Sequence, residues 1–339
     1  MATPTLKDVA SHAGVSRATV SRVLNHNPRV AGDLRDRVLD AIQELGYQPN
    51  RAARRLRASS SDVLGLIISD IENPFFTSVV RGVEDAAYAY QMSIVLCNTD
   101  EDPEKQKMYL RVMQAERVAG LIISPTNVEE DFTELERAGI PVILLDRRTD
   151  PYETDAVTID NVAGAYLAVK HLIDLGYERI GMIGGSPHLT TGRERYEGYR
   201  KALSTAGLKV DERLIKVGDF KIDSGYHLML ELIAAPQPPR AVFVANNLMT
   251  LGALRALRER AVRVPDTMAL VGFDDMPWAS ELCPPLTTIS QPTYELGQET
   301  VQLLVRRLAN PDAPVRTVTL QPRLVIRESC GVTLQPGRA

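Results

Sequence analysis

Ser16 to Asn25 reads SRATVSRVLN, and on a helix it sets Arg17, Ala18, Ser21, Arg22 and Asn25 opposite Val20, Val23 and Leu24. A guanidinium can donate two parallel hydrogen bonds to guanine O6 and N7, worth ~1–3 kcal/mol of base discrimination. Arg17 and Arg22 can each make that contact, whereas Ala18 has no donor and at most touches a thymine methyl. Thr5, Ser16, Thr19, Ser21, Asn25 and His26 suit phosphate oxygens, contacts that position a protein on a duplex without specifying sequence. A second kind of chemistry lies far along the chain. Asp146 and Asn246 end apolar runs that read as strands, and ligands bind beyond the carboxyl ends of strands in open α/β sheets. Phe75 and Phe76 follow Asn73-Pro74 after the first such run, so one ring can stack on a ligand; Phe76 reads as core. Thr191 and Trp278 are further candidates for a ligand wall.

Other chemistry is missing from the sequence. It has no G-x-x-x-x-G-K-[ST] loop, and Gly181-Met-Ile-Gly184-Gly185 lacks the spacing of a dinucleotide fingerprint. The five histidines form no HExxH pattern and no cluster with the three cysteines, Cys97, Cys283 and Cys330, so neither a metal nor another cofactor is expected. Asp274 and Asp275 are adjacent and need not converge as an acid/base pair. A sugar kinase or dehydrogenase on a two-subdomain α/β fold, the enzyme alternative, therefore lacks its motifs. Few and scattered cysteines point to a reducing compartment. No run approaches the ~18–20 apolar residues of a membrane span, and the N-terminus has no apolar signal region, so a cytoplasmic protein is expected. A transport-type sugar-binding protein would need such a signal.

The 339 residues carry a net charge of −4, with 44% apolar and 24% charged residues. That average conceals a division: residues 1–60 carry +5 and the remainder −9. A basic head on an acidic body localises polyanion binding to the head.

The head reads as three short helices. Thr5 can cap the first, with Asp8 three residues on, and Leu6, Val9, Ala10 and Ala13 make one apolar face. Gly14 permits a tight turn, and Ser16 can cap the second helix. Leu34, Val38, Ala41, Ile42 and Leu45 line a third helix that Gly46 and Pro49 stop. This is a helix-turn-helix plan, whose second helix enters the major groove. Beyond it, Asn50 can cap a short helix with Ala53 and Leu56 on one face, too short to be stable alone. From residue 62 onward, strand candidates at 63–68, 93–97, 120–124, 142–146, 179–183, 241–245 and 270–273 alternate with helical patterns. The helical patterns lie at about 76–90, 103–116, 161–175, 193–206, 224–234, 248–260 and 293–308. Alternation implies parallel sheets, and there are too many strands for one. The fold class is an all-α helix-turn-helix head followed by an α/β core of two parallel-sheet subdomains with a cleft between them.

The stretches TLKDVASHAGVSRATVSRVLN and VLDAIQELGYQPNRAARRLR resemble the DNA-binding head of the LacI/GalR family of bacterial transcription regulators. The body resembles the periplasmic-binding-protein-like core of that family in SDIENPFFTSVVRGVEDAA, RVAGLIISP, LIDLGYERIGMIGG and VPDTMALVGFDD. The resemblance covers about residues 4–329. It implies a head at 1–49, a hinge helix and linker at 50–61, and an effector-binding and dimerisation core at 62–329. It further implies an N-subdomain of 62–160 plus 291–320, a C-subdomain of 161–290 plus 321–329, and a tail at 330–339.

The resemblance implies functions as well. Positions matching Arg17 and Ala18 choose the operator sequence. Paired linkers fold on the DNA of a near-palindromic operator, and the residue matching Leu56 wedges into the minor groove beside a small Ala53. Arg195 and Asp274 match residues that clamp the effector, and Phe220 matches a pocket wall. A homodimer, with no membrane partner, would repress transcription under control of a small effector, a sugar or sugar derivative. Three positions depart from the family pattern. Ala31 stands where a capping Ser is usual, so the third helix is expected to start late, near Asp33. Asn247 stands where many relatives have Asp, and Leu189 where a purine-responsive branch has Arg, which disfavours a purine base.

Overall fold

The computed structural model describes residues 4–24, 30–47 and 62–332. The chain divides between Ser61 and Asp62 into two units.

In the first unit, α1 (Leu6–His12), α2 (Arg17–Leu24) and α3 (Gly32–Glu44) enclose a small core of Val9, Ala10, Ala13, Val20, Val23, Val38, Ala41 and Tyr47. Thr5 and Asp8 form a reciprocal capping box on α1. Gly14, at φ 62°, makes the turn, and Arg37 of α3 holds it by donating to the carbonyl of Ala13 at 2.6 Å. Ser16 caps α2, its hydroxyl accepting from the Thr19 N–H at 3.1 Å. Contrary to the expectation of a late start, α3 begins directly after Ala31, which supplies no side-chain cap. Packing of Val38 and Ala41 on the other two helices outweighs the ~1 kcal/mol that a cap contributes.

The second unit begins with β1 (Val63–Ile68), α4 (Pro74–Ala89), β2 (Ser93–Asn98), α5 (Pro103–Glu116), β3 (Gly120–Ile123), α6 (Thr133–Arg137), β4 (Val142–Leu145) and β5 (Ala156–Ile159). It continues with α7 (Asn161–Asp174), β6 (Ile180–Gly184), α8 (Thr190–Thr205), β7 (Ile215–Val217), α9 (Ile222–Ile233), β8 (Ala241–Val244), α10 (Asn247–Glu259), β9 (Ala269–Phe273) and β10 (Thr287–Ser290). It closes with α11 (Thr293–Ala309), β11 (Thr317–Leu320) and β12 (Arg323–Val325). Two six-stranded sheets result, ordered β11-β5-β4-β3-β1-β2 and β12-β10-β9-β8-β6-β7. All pairings are parallel except β10 with β12.

The chain passes between the sheets after β5, after β10 and after β11, always at the edge where β11 and β12 lie. Three crossings at one edge form a hinge, so the cleft opens toward the other edge, β2 and β7. Asn73, Asp102, Asp160 and Asn246 cap α4, α5, α7 and α10, each fixing a helix start just after a strand end. Helices α4 and α11 cross closely because Gly82 and Gly297 have no Cβ, which would strike the backbone of Tyr294 and Val79.

Five strands fall outside the strand candidates: β5, β7, β10, β11 and β12. Each has three or four residues, and β10 reads Thr-Thr-Ile-Ser, with its threonines fully buried. Short or hydroxyl-rich strands carry no apolar run for periodicity to find. The tail does not begin at residue 330. Cys330 is fully buried in the core and its Sγ lies 3.2 Å from His171 Nε2.

Candidate functional site

On the head, Arg17, Ala18 and Arg22 are exposed on α2, with Thr19 and Ser21 half-buried beside them. They lie on the side away from Val20 and Val23, which are buried against α1 and α3. The hydroxyls of Thr5 and Ser16 are already engaged, accepting as caps from the Asp8 and Thr19 N–H groups and hydrogen-bonded to Asp8 Oδ2 at 2.6 Å and Thr19 Oγ1 at 2.9 Å. Thr5 also holds the Asp8 carboxyl below its ordinary pKa. Asn25, His26, Asn50, Ala53 and Leu56 lie outside the described residues.

In the core, strand ends from both sheets converge on one cavity between the subdomains. Asp70, Asn73, Phe75, Phe76, Glu101, Asp146 and Arg147 line it from the first sheet's side. Thr191, Arg195, Phe220, Lys221, Asn246 and Asp274 face them, and Gln291 enters from the crossover after β10. Its volume is about 30 Å³, room for roughly two waters at ~10–15 Å³ each. Of the residues singled out in the sequence, Phe75, Asp146, Thr191, Arg195, Phe220, Asn246 and Asp274 are brought together here. Trp278 is not: it is half-buried on a 3₁₀ turn (Pro277–Ser280), outside the lining. Phe76, read as core, both packs in the core and reaches the cavity, edge-on to Phe75 with ring centroids 4.9 Å apart.

Asp70, Asn73, Glu101, Arg147, Lys221 and Gln291 were missed. The strand-end rule that singled out Asp146 applies equally to Asp70 and Arg147. Gln291 follows β10, a strand that was not read.

Backbone geometry aims several of these side chains. Glu101, Asp146, Phe220 and Asp274 all adopt left-handed conformations, with φ of 61°, 66°, 66° and 76°. Such conformations cost non-glycine residues about 1–3 kcal/mol and cluster at ligand clamps. Gly185 leaves the space that the Phe220 ring fills.

The charges are arranged in pairs. Arg147 grips Glu101 through both terminal nitrogens, at 2.7 and 2.6 Å. Arg195 donates Nε to Asn161 at 2.8 Å and Nη1 to the Ala245 carbonyl at 2.6 Å, and stacks 3.9 Å over the Phe273 ring. Asp274 accepts from the Asn247 N–H at 3.2 Å and, in a short hydrogen bond, from Gln291 Nε2. Lys221 crosses the cleft to Asp70 at 2.7 Å and Asp100 at 2.6 Å. Asn247 also spans it, its amide donating to Asn73 Oδ1 at 2.8 Å. Burial raises the Asp146 carboxyl to about 6, opposed by Arg147 and Arg195, and raises Asp274 as well. Burial lowers Arg195, opposed by the two carboxylates. Three buried polar atoms on this lining have no hydrogen-bond partner: Asp146 Oδ1, Gln291 Oε1 and Arg147 Nε, the last lying 3.7 Å from Asp146 Oδ2.

A three-helix head with an exposed arginine-bearing second helix, joined in one chain to a hinged two-sheet body with a polar cleft, defines a DNA-binding regulator with a ligand-binding core. Residues 5–50 match the family of bacterial regulatory proteins, lacI family, and residues 169–330 match a periplasmic binding protein-like domain. The HTH-type transcriptional repressor PurR of Mannheimia succiniciproducens is 36% identical over 327 residues, 96% of this chain and 98% of that protein. Among solved structures, the transcriptional regulator CelR in complex with cellobiose is 36% identical with a TM-score of 0.74, covering 96% of this chain and 99% of that one. The lac repressor dimer bound to operator and the anti-inducer ONPF is 32% identical with a TM-score of 0.86, covering 97% and 99%. The chain belongs to the lacI family of bacterial regulatory proteins, and it is a DNA-binding transcription regulator.

Proposed function

We propose that this regulator is a dimeric repressor whose hold on a near-palindromic operator is set by a neutral, hydroxyl-rich effector, a sugar, in the cleft. The carrying observation is the set of orphaned buried atoms. Asp146 Oδ1 and Gln291 Oε1 want a donor, and Arg147 Nε wants an acceptor. Each unmet group costs about 1–3 kcal/mol, and a hydroxyl is both donor and acceptor. Phe75 and Phe220 supply apolar faces beside them.

Phosphate is disfavoured. Arg147 is spent on Glu101 and Lys221 on Asp70 and Asp100, while Arg195 is held among Asn161, Ala245 and Phe273. Leu189 is buried in the core and brings no donor to a purine. A binding role rather than turnover is supported by the divergence of the adjacent carboxylates. Asp274 faces Gln291, whereas Asp275 is tied to Arg327 at 2.7 Å.

A 30 Å³ cavity cannot admit a sugar without opening, so effector binding must change the angle at the hinge. That change alters the linker spacing, and with it the ease with which two heads engage DNA together. The effector shifts operator affinity only through its different affinity for the two states.

The reading is tested by thermal shift of the full chain against sugars, sugar phosphates and nucleosides. An effector at ~100 times its dissociation constant adds ~2.7 kcal/mol to the native state. Asp274→Asn should then weaken the effector at least tenfold while operator affinity without effector stays within about twofold, since losing a charged hydrogen-bond partner costs ~1.5–3 kcal/mol. Stabilisation by sugar phosphates or nucleosides but by no neutral sugar would overturn it.

A further inference from the structure

A larger cavity, of about 730 Å³, lies beside β11 at the hinge edge of the core and shares no lining residue with the cleft cavity. One wall is the loop between β4 and β5, residues 148–154, with the start of β11. The other is the first two turns of α8, so the cavity spans both subdomains. It already has the volume of a small-molecule site, ~300–1,000 Å³, and needs no opening. We propose that this flank cavity is a second ligand site, for a linear aliphatic diamine or polyamine that bridges Glu153 on one wall and Glu197 on the other.

Charge sets the class. The lining holds four carboxylates, Asp150, Glu153, Glu194 and Glu197, and two guanidiniums, Arg148 and Arg193. Both guanidiniums are spent across the subdomain boundary. Arg193 donates to Asp150 at 3.1 and 2.9 Å, and Arg148 to Glu194 at 2.9 Å. Among the described residues, Glu153 and Glu197 make no ion pair and no side-chain hydrogen bond. Two unmatched carboxylates, one from each subdomain, are the complement of a dication. An anion would find only guanidiniums that are already paired.

Tyr152 points to the same class. It is 6% exposed, it lines the cavity, and its hydroxyl is buried without a hydrogen-bond partner. Burial, with Glu136 nearby, raises its pKa, so the phenol keeps its proton and its oxygen can accept from an ammonium. Leu144, Ala156 and Val315 give the methylene chain of such a ligand an apolar wall.

The flank cavity is wired to the cleft. Glu194 accepts from Arg148 through one carboxylate oxygen and from Asn161 Nδ2, at 3.0 Å, through the other. Asn161 is the first residue of α7, just past the crossover from β5, and its Oδ1 accepts from Arg195 Nε at 2.8 Å. An occupant that touches both walls favours the hinge angle at which they face each other. By linkage it changes the affinity of the cleft for its own ligand. That consequence rests on the reading of the cleft as an effector site; the flank site does not.

The test is calorimetric titration of the full chain with putrescine, cadaverine and spermidine, with butylamine, magnesium chloride and sodium phosphate as comparisons. The expected result is one diamine or polyamine bound per chain, about tenfold tighter than butylamine, because the second ammonium binds as a tethered group. Glu153→Gln and Glu197→Gln, both at exposed positions, should each weaken it by up to about fivefold, and the double variant should reduce it to the affinity of butylamine. Tyr152→Phe, which removes only the hydroxyl, should weaken it as well. Glu178→Gln, at an exposed acid outside the cavity, should leave the titration unchanged, which separates the site from general attraction to an acidic core. No amine binding, equal affinity for butylamine and the diamines, or a titration untouched by the double variant overturns the site. Binding of magnesium or phosphate in place of the amines overturns the class of ligand. Each of these failures leaves the cleft reading standing, because the two cavities have no lining residue in common.

Discussion

Asp146 is both strained and desolvated. Its φ is 66°, one carboxylate oxygen has no hydrogen-bond partner, and burial raises its pKa to about 6. An unfolded aspartate titrates near ~3.9. Between about pH 4 and 6 the folded state therefore holds a proton that the unfolded state has lost, so this group's contribution to stability falls as pH rises through that window. Two pH units of displacement correspond to about 3 kcal/mol. Asp146→Asn removes the titration. In urea denaturation, the variant should gain up to about 3 kcal/mol relative to the wild type on going from pH 4 to pH 7. A difference that does not move with pH would mean that Asp146 is an ordinary surface-like carboxylate.

Arg17 carries the corresponding prediction for the head. It is exposed on α2, next to an alanine that reads no base polarity. Arg17→Ala should relax preference at one symmetric position in each half-site by about 1–3 kcal/mol, read by selection from a randomised operator library. An unchanged consensus would transfer base reading to Arg22. Both residues were singled out from the sequence because each sits in a local pattern, a helix face or a strand end.

Elements position the charges that close the cleft. Lys221 lies between β7 and α9 on the second sheet's side, and its partners follow β1 and β2 on the first. The contact is near the β2/β7 edge, opposite the hinge, where a small force has the longest lever. Arg193 with Asp150 at 2.9 Å and Arg148 with Glu194 at 2.9 Å add further links between the subdomains. Lys221 is about one-third exposed, so its ion pairs contribute ~0–1 kcal/mol. Lys221→Met should shift the open–closed balance by up to about fivefold. Effector association in stopped-flow should speed up, and its acceleration by salt should be smaller than in the wild type, the Arg193–Asp150 and Arg148–Glu194 pairs supplying what remains. A salt response unchanged in Lys221→Met would remove the latch.

Elements also show where sequence reading ends. The seven anticipated strands are long or apolar, whereas β10, Thr-Thr-Ile-Ser, is buried with its hydroxyls satisfied by distant groups. Thr287 donates to the Arg327 carbonyl and Thr288 to Asp275. A strand whose burial depends on such partners has no apolar signature, and missing β10 meant missing Gln291. Trp278 erred the other way. It follows a strand-end carboxylate by four residues, but the 3₁₀ turn carries its side chain outside the cleft.

At the scale of the molecule, the core ends in the edge strand β2, whose Val95 and Leu96 are 39% and 38% exposed. Unpaired edges with exposed apolar side chains are covered in stable proteins. A second copy is the occupant that a regulator reading two half-sites requires. Leu96→Asp should shift the sedimenting species toward monomer. It should also lower operator affinity at least tenfold, because the second head then binds without the benefit of tethering. A dimer that survives the substitution would place the interface elsewhere.

The sequence alone determined the head's three helices, the face of α2 that carries Arg17 and Arg22, and the rule that ligand groups sit at strand ends. These depend on periodicity, caps and charge within a few residues of each other. Only tertiary structure decided the cleft's membership and its closure. Lys221 and Asp70 are 151 positions apart and Asn247 and Asn73 are 174 apart. Whether such residues meet depends on sheet order and on three crossings at one edge, which place strand ends side by side irrespective of their distance along the chain.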